Sequence, residues 1–270
     1  MVDKVVIITG ASSGIGRSLA IELAKRKARL SLAARNQPAL EALKSEIKSH
    51  GVDVMECPTD VSKEHDCQVL IERTLEHFGR IDILIVNAGI SMRAILEDLD
   101  LSVFDTVMKV NLWGAVYCTK YALPHLLKAK GSVVGVSSIG GYVGLPARTA
   151  YCASKSALQG FMDSLRTENL KTGLHVLVVC PNYTESNIRK QALNAKGEHQ
   201  DESPINEGSV MSSQEVAIII ANAIEKRKRR VTLTFEGKLI VFLSKFFPSI
   251  IEKIAFKRIT AEPGSPIKLE

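Results

Sequence analysis

Tyr151 and Lys155 stand four residues apart in the run YCASK, a spacing that puts both side chains on one face of a helix. The pKa of a free tyrosine is about 10, and a neighbouring ammonium lowers it by stabilising the phenolate. A tyrosine in this setting can donate a proton to a carbonyl or remove one from an alcohol. The pair therefore predicts acid/base chemistry, although the same spacing is common on ordinary amphipathic helices.

Two further polar residues fit the same chemistry. Ser138 stands at the end of a predicted strand, thirteen residues before Tyr151, where open α/β sheets place their ligands. Its hydroxyl can hydrogen-bond a substrate oxygen and stabilise charge that develops there. Asn111 falls inside a predicted helix, where asparagine has poor propensity. Either its amide acts in the site, or the amide is buried with its hydrogen bonds satisfied by the protein.

A glycine-rich turn follows the first apolar run of the chain. The residues TGASSGIG occupy positions 9–16, directly after Val5–Ile8. Glycines in this position let the backbone approach a pyrophosphate, which then sits at the positive end of the following helix. The spacing GxxxGxG departs from the commoner GxGxxG of dinucleotide-binding sheets. The predicted cofactor contacts in this turn are Gly10, Ser12, Ser13, Gly14, Ile15 and Gly16.

The end of the second predicted strand indicates which nicotinamide cofactor is bound. Sheets that prefer NAD place a carboxylate there for the ribose hydroxyls, whereas this chain has Ala34, Arg35 and Asn36. An arginine can pair with the 2′-phosphate of NADP through two hydrogen bonds. Arg35, helped by Arg17 and Ser12, therefore predicts NADP(H), and a solvated arginine at a strand end is the alternative.

Two later strand ends complete the predicted cofactor site. Asp60 and Val61 follow the third strand, where a carboxylate can accept a hydrogen bond from the adenine amino group. Asn87, Ala88 and Gly89 follow the fourth strand, and the small residues let a cofactor ribose pass close to the backbone. Since the carboxyl ends of parallel strands share one edge of a sheet, we expect both groups beside the glycine-rich turn.

The elements that must position these residues follow a regular alternation. Continuous apolar runs predict strands buried on both faces, and apolar residues at helical spacing follow them. This alternation predicts an α/β fold, a single doubly wound parallel sheet of about seven strands with helices on both faces. The predicted strands are 5–8, 29–34, 52–57, 81–86, 132–137, 175–180 and 231–235, and the predicted helices after the first are 38–49, 63–78, 102–128, 150–172 and 213–228.

Residues 1–270 are predicted to form one domain, but two segments break the alternation. Residues 185–212 are polar and are predicted to form a lid, a common role for long loops. Residues 237–259 are rich in Leu, Ile and Phe and carry four lysines and one arginine. They pack on their own domain, form a subunit contact or lie on a membrane surface, and the first two interpretations are favoured. Pro248 argues against one continuous membrane span.

Composition excludes several classes of function. The formal net charge is +6, without a basic stripe among aromatic residues or a zinc-ligand spacing, so no nucleic-acid partner is predicted. The five cysteines form no CxxC pair and favour neither a metal site nor a disulfide framework. A reducing interior suits them, and the N-terminal apolar run is too short for a signal peptide, so a cytoplasmic location is expected.

These motifs together resemble those of the short-chain dehydrogenases/reductases over about residues 3–235. The resemblance rests on TGASSGIG at 9–16, Asp60, NAG at 87–89, Asn111, Ser138 and YxxxK at 151–155, in the family's order. It implies that Tyr151 is the acid/base, that Lys155 lowers its pKa and binds the nicotinamide ribose, and that Ser138 orients the carbonyl. It also implies that Asn111 holds a water in a proton relay to Lys155, and that the chain forms a homo-oligomer, a dimer or a tetramer.

The sequence after the sixth strand departs from the family. The family has Pro-Gly there and a threonine a few residues later, whereas this chain has Pro181 and Asn182. Asparagine is expected to take over the left-handed conformation of that glycine. Pro181, Thr184 and Ser186 are the predicted contacts on the nicotinamide side of the site.

Residues 96–126 and 144–168 resemble a branch that includes the 11-beta-hydroxysteroid dehydrogenases and the dehydrogenase/reductase member-seven group, with the ketosphinganine reductases also similar. The resemblance implies a substrate molecule that is a large apolar carbonyl or hydroxyl compound, such as a steroid, a retinoid or a long-chain ketone. The wall of the substrate pocket is then expected to include Met92, Tyr142, Leu145 and Tyr183.

Three functions stay open at this point. The leading hypothesis is an NADP(H)-dependent carbonyl reductase that also oxidises the corresponding alcohol. The first alternative is a non-catalytic NADP(H)-binding sensor or scaffold, which has no chemical need to keep the predicted reacting residues together. The second is a membrane-surface reductase of lipids, distinguished by whether residues 237–259 bind vesicles.

Overall fold

A parallel sheet covered by helices makes up the protein. The computed structural model describes residues 1–185, 187–200 and 210–267. The strands are β1 (Val5–Thr9), β2 (Arg29–Ala34), β3 (Val54–Pro58), β4 (Ile83–Val86), β5 (Ser132–Val136), β6 (His175–Cys180) and β7 (Arg230–Thr232). The helices are α1 (Gly14–Lys25), α2 (Gln37–Lys48), α3 (Glu64–Phe78), α4 (Leu101–Met108), α5 (Gly114–Lys128), α6 (Thr149–Glu168), α7 (Ser213–Glu225), α8 (Phe235–Phe246) and α9 (Pro248–Thr260).

The strands of the described chain run parallel in the order β3-β2-β1-β4-β5-β6-β7. β1, β4, β5 and β6 are buried along their whole length, as expected for strands with helices on both faces. The predicted doubly wound parallel sheet is therefore confirmed. The chain order reverses between β1 and β4, and at such a switch point the carboxyl ends of the strands open a crevice for ligands.

Each face of the sheet buries its own cluster of apolar side chains. On one face, Leu23 of α1 and Ile220 of α7 belong to a cluster that α2 also joins. On the other face, Leu70 of α3, Cys118 of α5 and Leu158 of α6 belong to a second cluster. Because both layers are closely packed against the strands, the strand ends and the loops that leave them are held in place.

The long helix predicted over 102–128 is interrupted in the structure. α4 ends at Met108, a π-helical turn covers Lys109–Trp113, and α5 begins at Gly114. The wider turn carries the amide of Asn111 to the backbone of Ile90, with which it both donates and accepts hydrogen bonds. Apolar spacing continues through the turn, so the sequence pattern alone does not reveal it.

The last helix and the last strand that the alternation predicts both end earlier than expected. α7 ends at Glu225 rather than at 228, because Arg227 takes a left-handed φ of 46°. β7 ends at Thr232 rather than at 235, because the Thr234 hydroxyl caps the start of α8. The apolar character of residues 231–235 therefore belongs partly to a strand and partly to a helix.

The C-terminal extension forms a helical hairpin of α8 and α9. Pro248 occupies the first turn of α9, where its missing N–H removes no helical hydrogen bond. Ile251 and Ile259 are buried, so one side of the hairpin packs within the molecule. Among the described residues, no helix has the length and apolar character needed to cross a bilayer.

Candidate active site

A cleft of about 1100 Å³ lies at the carboxyl ends of the strands, around the switch point between β1 and β4. It extends from the turn after β1 to the hairpin of α8 and α9. Among its lining residues are Gly10, Ser12, Ser13, Gly14, Ile15, Arg35, Asp60, Val61, Asn87, Ala88, Gly89, Ser138, Tyr151, Lys155, Pro181 and Thr184. Two predicted residues, Gly16 and Asn111, stand behind this lining, and Ser186 lies outside the described residues.

The turn between β1 and α1 depends on close backbone packing. Gly10 has a φ of 66°, a left-handed conformation that favours glycine. A Cβ atom on Gly16 would overlap the carbonyl oxygen of Gly10 and would lie 2.6 Å from Nδ2 of Asn87. The same Nδ2 donates to the carbonyl oxygen of Thr9 at 2.9 Å. Gly16 and Asn87 therefore shape the turn, a role that the motif does not distinguish from ligand contact.

The N-terminus of α1 borders the cleft without a side-chain cap. Ser13 is the N-cap residue, and its side chain makes no capping hydrogen bond. Ser12, Ser13 and Gly14 all line the cleft. Uncapped N–H groups at the positive end of a helix bind phosphate groups, so this turn is suited to a pyrophosphate.

Arg35 follows β2 directly and lines the cleft with an exposed side chain. Within the part of the chain that the structure describes, this arginine makes no hydrogen bond or ion pair. Its neighbour Asn36 caps α2 by accepting a hydrogen bond from the N–H of Ala39 at 3.0 Å. Arg17, predicted to assist Arg35, pairs instead with Glu46 of α2 and does not line the cleft.

Asp60 follows β3 and presents its carboxylate at the edge of the cleft. Its Oδ1 accepts hydrogen bonds from the N–H and the hydroxyl of Ser62, at 3.1 and 2.7 Å. Its Oδ2 has no hydrogen-bond partner among the described residues. One oxygen therefore positions the carboxylate, and the other can accept from a ligand.

Tyr151 lies in the first turn of α6 and lines the cleft. The side chain of Ser138 lies near its hydroxyl, and the Oγ of Ser138 accepts a hydrogen bond from the N–H of Gly140 at 3.1 Å. Burial raises the pKa of Tyr151, while the side chain of Ser138 and the guanidinium of Arg148 oppose this rise. The phenol is therefore protonated at neutral pH and can serve as a proton donor.

Lys155 is only 4% exposed, and its Nζ donates to the carbonyl oxygen of Val136 at 3.0 Å. Burial lowers the pKa of Lys155 to about 8, so that the ammonium is still mostly charged at neutral pH. Nζ lies 5.9 Å from the centre of the Tyr151 ring. The two side chains are neighbours as predicted, but the expected fall in the pKa of Tyr151 is not found, because burial outweighs the charges around the phenol.

Asn111 is 2% exposed, and its amide is bonded to protein groups. Its Nδ2 donates to the carbonyl oxygen of Ile90 and to the hydroxyl of Ser154, both at 2.9 Å, and its Oδ1 accepts from the N–H of Ile90 at 2.8 Å. A Cβ on Gly89 would lie 3.3 Å from this Oδ1 and 3.2 Å from Nζ of Lys155. Asn111 therefore braces the loop after β4 as a satisfied buried amide, and its relay of protons to Lys155 stays a prediction.

The loop after β6 does not have the backbone expected from the family. Asn182 does not have a positive φ. The expectation that it adopts the left-handed conformation of the family's glycine is therefore wrong. Its Nδ2 lies 3.3 Å from both the hydroxyl of Thr234 and the carboxylate of Glu236, donating to each. Asn182 thereby ties this loop to the start of α8, which keeps Pro181 and Thr184 at the edge of the cleft.

Part of the predicted lid packs beside the loop after β4. The N–H of Leu193 donates to the carbonyl oxygen of Ser91 at 3.0 Å, and the N–H of Arg93 donates back to Leu193 at 2.8 Å. Residues 187–189 and 191 line the cleft. Residues 201–209 of the predicted lid lie outside the described residues.

The apolar end of the cleft differs from the predicted wall. Leu145 and Tyr183 line it as expected. Met92 instead lies fully buried in a separate cluster, and the hydroxyl of Tyr142 is bound by Arg230, so neither lines the cleft. The hairpin supplies the missing wall, through Leu239, Ile240, Leu243, Ile251, Ile254 and Ile259. Leu239 and Leu243 are four residues apart and Ile251 and Ile254 are three apart, and this spacing was a visible signal of an apolar helical face.

A cluster of ion pairs closes the cleft beside α6. A carboxylate oxygen of Glu262 lies 3.2 Å from Arg93 and 3.4 Å from Arg148, and none of the three side chains is more than 12% exposed. Arg93 also donates to the carbonyl oxygen of Pro263 at 2.8 Å. The cluster anchors the residues after α9 to the rest of the site. Sequence reasoning missed it, since charged residues so far apart along the chain carry no local signal of contact.

Comparison with known proteins gives a consistent picture. A family model described as short chain dehydrogenase matches residues 4–197. The chain is 45% identical over 198 residues to 11-beta-hydroxysteroid dehydrogenase A of Arachis hypogaea, covering 72% of this chain and 56% of that protein. It is 34% identical over 269 residues to dehydrogenase/reductase SDR family member 7B of Mus musculus, covering 97% of this chain and 83% of that protein.

Among solved structures, a short chain dehydrogenase/reductase from Burkholderia phymatum in complex with NAD has a TM-score of 0.82 at 23% identity, covering 99% of both chains. At this identity the likeness supports the fold alone. The chain spans little more than half the length of the Arachis relative, at 56%. The family model nevertheless covers most of the chain, and the relatives match the branch expected from the sequence. The chain belongs to the short chain dehydrogenase family.

Proposed function

We propose that this chain is an NADP(H)-dependent oxidoreductase that interconverts a ketone or aldehyde and an alcohol on an apolar substrate, with Tyr151 as the acid/base. The observation that carries the proposal is the meeting of Ser138, Tyr151 and Lys155 in the same cleft as a phosphate-binding turn. A non-catalytic NADP(H)-binding sensor or scaffold has no need for a protonated phenol beside a serine hydroxyl and a buried ammonium.

The residues of the cleft fit a nicotinamide dinucleotide. The uncapped start of α1 suits a pyrophosphate, and the turn before it has no space for a Cβ on Gly16. The available oxygen of Asp60 suits the adenine amino group. Arg35 follows β2 where enzymes that prefer NAD have a carboxylate, and its guanidinium makes no ion pair within the described residues. These features favour the 2′-phosphate of NADP(H).

The reducing direction needs a hydride at the carbonyl carbon and a proton at the carbonyl oxygen. When bound, the reduced cofactor supplies the hydride. The hydroxyl of Tyr151 donates the proton, and in the oxidising direction the phenolate takes a proton from the alcohol. Ser138 donates a hydrogen bond to the same oxygen and stabilises the charge that develops on it. Lys155, cationic below its pKa of about 8, favours the phenolate and holds the nicotinamide ribose.

The apolar wall supplied by α8 and α9 supports a substrate with a large hydrocarbon surface. Leu243 and Ile251 lie on this wall. Leu145, in the loop that precedes α6, also lines the cleft. A relative named as a hydroxysteroid dehydrogenase supports the same class of substrate. The proposal is therefore a steroid-, retinoid- or long-chain-ketone-like compound. It also includes a homo-oligomer in a cytoplasmic setting, to be checked by light scattering and cell fractionation.

The cofactor assignment is tested by titrating the purified protein with NADPH and NADH. We expect tighter binding of NADPH, and the variant Arg35→Ala should lose about tenfold to a hundredfold of that affinity because a charge-assisted pair with the 2′-phosphate is gone. The control Arg229→Ala removes an exposed arginine just before β7, away from the cleft. Equal binding of both cofactors, or an unchanged preference in Arg35→Ala, contradicts the assignment.

The chemical assignment is tested with NADPH and a panel of steroid and long-chain ketones. Tyr151→Phe should lower kcat about a hundredfold to ten-thousandfold while the protein still binds NADPH, because only the donated proton is removed. Tyr121→Phe is the matched control, since its hydroxyl bonds to Glu64 away from the cleft. An active wild type whose rate survives Tyr151→Phe contradicts the role of Tyr151, and binding without turnover of any ketone favours the sensor or scaffold.

A further inference from the structure

A buried glutamine of α6 contacts the residues that follow β5. Gln159 is 6% exposed and does not line the cleft, so its side chain is set apart from the groups that meet cofactor or substrate. Its Nε2 donates to the hydroxyl of Ser137 at 3.1 Å and to the carbonyl oxygen of Ser138 at 3.4 Å. A buried amide costs free energy unless its hydrogen bonds are satisfied, and here the two serines accept from it. Gln159 therefore joins α6 to the strand end directly behind the site.

The turn that begins at Ser138 is packed closely on this amide. The three residues after Ser138 form a single 3₁₀ turn, and the Oγ of Ser138 caps it. A Cβ on Gly141 would overlap Nε2 of Gln159. A Cβ on Gly140 would lie 3.2 Å from the ring of Tyr151. The turn is therefore in contact with both the amide and the phenol, so Gln159 can fix where Ser138 stands relative to Tyr151.

An ion pair determines which way the amide points. Nη1 of Arg230 donates to Oε1 of Gln159 at 2.8 Å, and Nη2 donates to a carboxylate oxygen of Asp163 at 2.6 Å. A guanidinium has only donors, so it selects the oxygen of the amide and leaves Nε2 facing the serines. The hydroxyl of Ser137 accepts from Nε2 and donates in turn to the carbonyl oxygen of Lys155 at 3.0 Å. The hydrogen bonds thus run in one direction, from Arg230 to the backbone of Lys155.

We propose that Gln159 acts in the reaction through Ser138, as a positioning residue whose amide holds the serine hydroxyl where it can donate to the substrate oxygen. The proposal deepens the proposed function and rests on it. A donor stabilises developing charge only when it is aimed at the oxygen in advance, and a shift of about 1 Å can lower the rate about a hundredfold. The glutamine provides this aim from outside the cleft, while Arg230 keeps its amide from turning over.

A double-mutant cycle between Gln159 and Ser138 tests this role, with NADPH and the ketone that the wild type reduces fastest. Gln159→Met keeps the length of the side chain and removes its donors, so we expect kcat to fall about tenfold to a hundredfold. Ser138→Ala should lower kcat by about a hundredfold or more, because the donor to the substrate oxygen is gone. In the Ser138→Ala background the glutamine has no hydroxyl to aim, and Gln159→Met should then lower kcat by less than about twofold.

A second variant preserves the shape of the side chain. Gln159→Glu keeps an oxygen for Arg230 but has no N–H for the serines, and it sets a carboxylate oxygen against the carbonyl oxygen of Ser138. We expect a fall in kcat at least as large as that of Gln159→Met, with NADPH affinity unchanged because Gln159 does not line the cleft. Gln68→Met is the matched control, since its amide bonds to Glu72 of α3 away from the cleft, and it should match the wild type.

Hydrogen exchange measures the hold of the amide on the turn without any turnover. The N–H of Gly140 is bound by Oγ of Ser138, and the N–H of Gly141 is bound by the carbonyl oxygen of Ser138. In Gln159→Met the peptide that covers residues 138–142 should exchange at least about tenfold faster, because local opening of the turn costs less free energy. Exchange of β1 and β4 should be unchanged, which shows that the variant is folded.

Two results overturn the role of Gln159. The first is a folded Gln159→Met or Gln159→Glu protein that keeps the wild-type kcat, or that loses the same factor with and without Ser138, which makes the glutamine a packing residue only. The second is exchange of residues 138–142 that stays as slow as in the wild type. A wild type that reduces no ketone contradicts the proposed function instead, and the exchange experiment still decides whether the glutamine holds the turn.

Discussion

The turn after β1 and the hairpin of α8 and α9 border the two ends of one cleft, yet they are built by different means. β1 is buried along its length, and in the turn that follows it the backbone leaves no space for a Cβ on Gly16. The hairpin presents Phe242 and Phe246 at 58% and 62% exposed and packs by one side only. A closely packed backbone suits a ligand that does not vary, such as a nucleotide. The side chains of a helical wall can be substituted, so that the cleft accepts a different ligand, without disturbing the sheet.

Substitution of Gly16 should have the largest effect, because it acts on the closely packed end. Gly16→Ala places a Cβ against the carbonyl oxygen of Gly10, so the backbone must move. We expect loss of measurable NADPH binding and a fall of about 3 kcal/mol or more in the free energy of unfolding, measured by titration and by urea denaturation. The control Gly160→Ala has open space around its Cβ and should be neutral or stabilising. Normal NADPH binding by Gly16→Ala would contradict the claim that close backbone packing shapes this end of the cleft.

Substitution of Glu262 should have the next largest effect, on the substrate end alone. Glu262→Gln leaves the guanidinium groups of Arg93 and Arg148 without their shared carboxylate in a site at most 12% exposed. We expect a loss of about 3 kcal/mol in stability, and a higher KM for an apolar ketone with NADPH affinity unchanged. Steady-state kinetics beside calorimetric NADPH titration measures this split. A parallel loss of NADPH affinity shows that the two ends are coupled.

Substitution of Lys155 should have the smallest effect on stability, and that effect should depend on pH. Below pH 8 the ammonium is charged in both the native and unfolded chains, so the native state carries the cost of burying it. Above the ordinary pKa of 10.5 both states are neutral and the cost is gone. Lys155→Met should therefore be more stable than the wild type by about 2 kcal/mol below pH 8, after allowing for the lost hydrogen bond to Val136.

This advantage should disappear as the pH rises from 8 to 10.5, because the wild type gains stability over that window. Urea denaturation of both proteins at a series of pH values measures the difference, in which the effects of the other buried groups largely cancel. Lys120→Met removes an exposed lysine of α5 and should show no such trend. A difference that does not vary with pH contradicts the buried, charged state of Lys155.

The sheet and the nucleotide end were largely predictable, because their signals are local. Val5–Ile8 followed by a glycine-rich turn can form little other than a buried strand leading into a helix. The π-helical turn at Asn111 and the ion pairs of Glu262 were not predictable. The first depends on an amide reaching the backbone of Ile90, and the second joins residues more than a hundred positions apart.

The sequence by itself determined the doubly wound sheet, the family and the set of polar residues at the strand ends, because each depends on short-range spacing along the chain. Only the tertiary structure decided which of those residues line the cleft, which way the pKa of Tyr151 moves and which side chains form the apolar wall of the cleft. Burial and charge at a site are sums over side chains from distant segments. Met92 and Leu243 illustrate the point, since both are apolar but only the packing of the hairpin makes the second a lining residue.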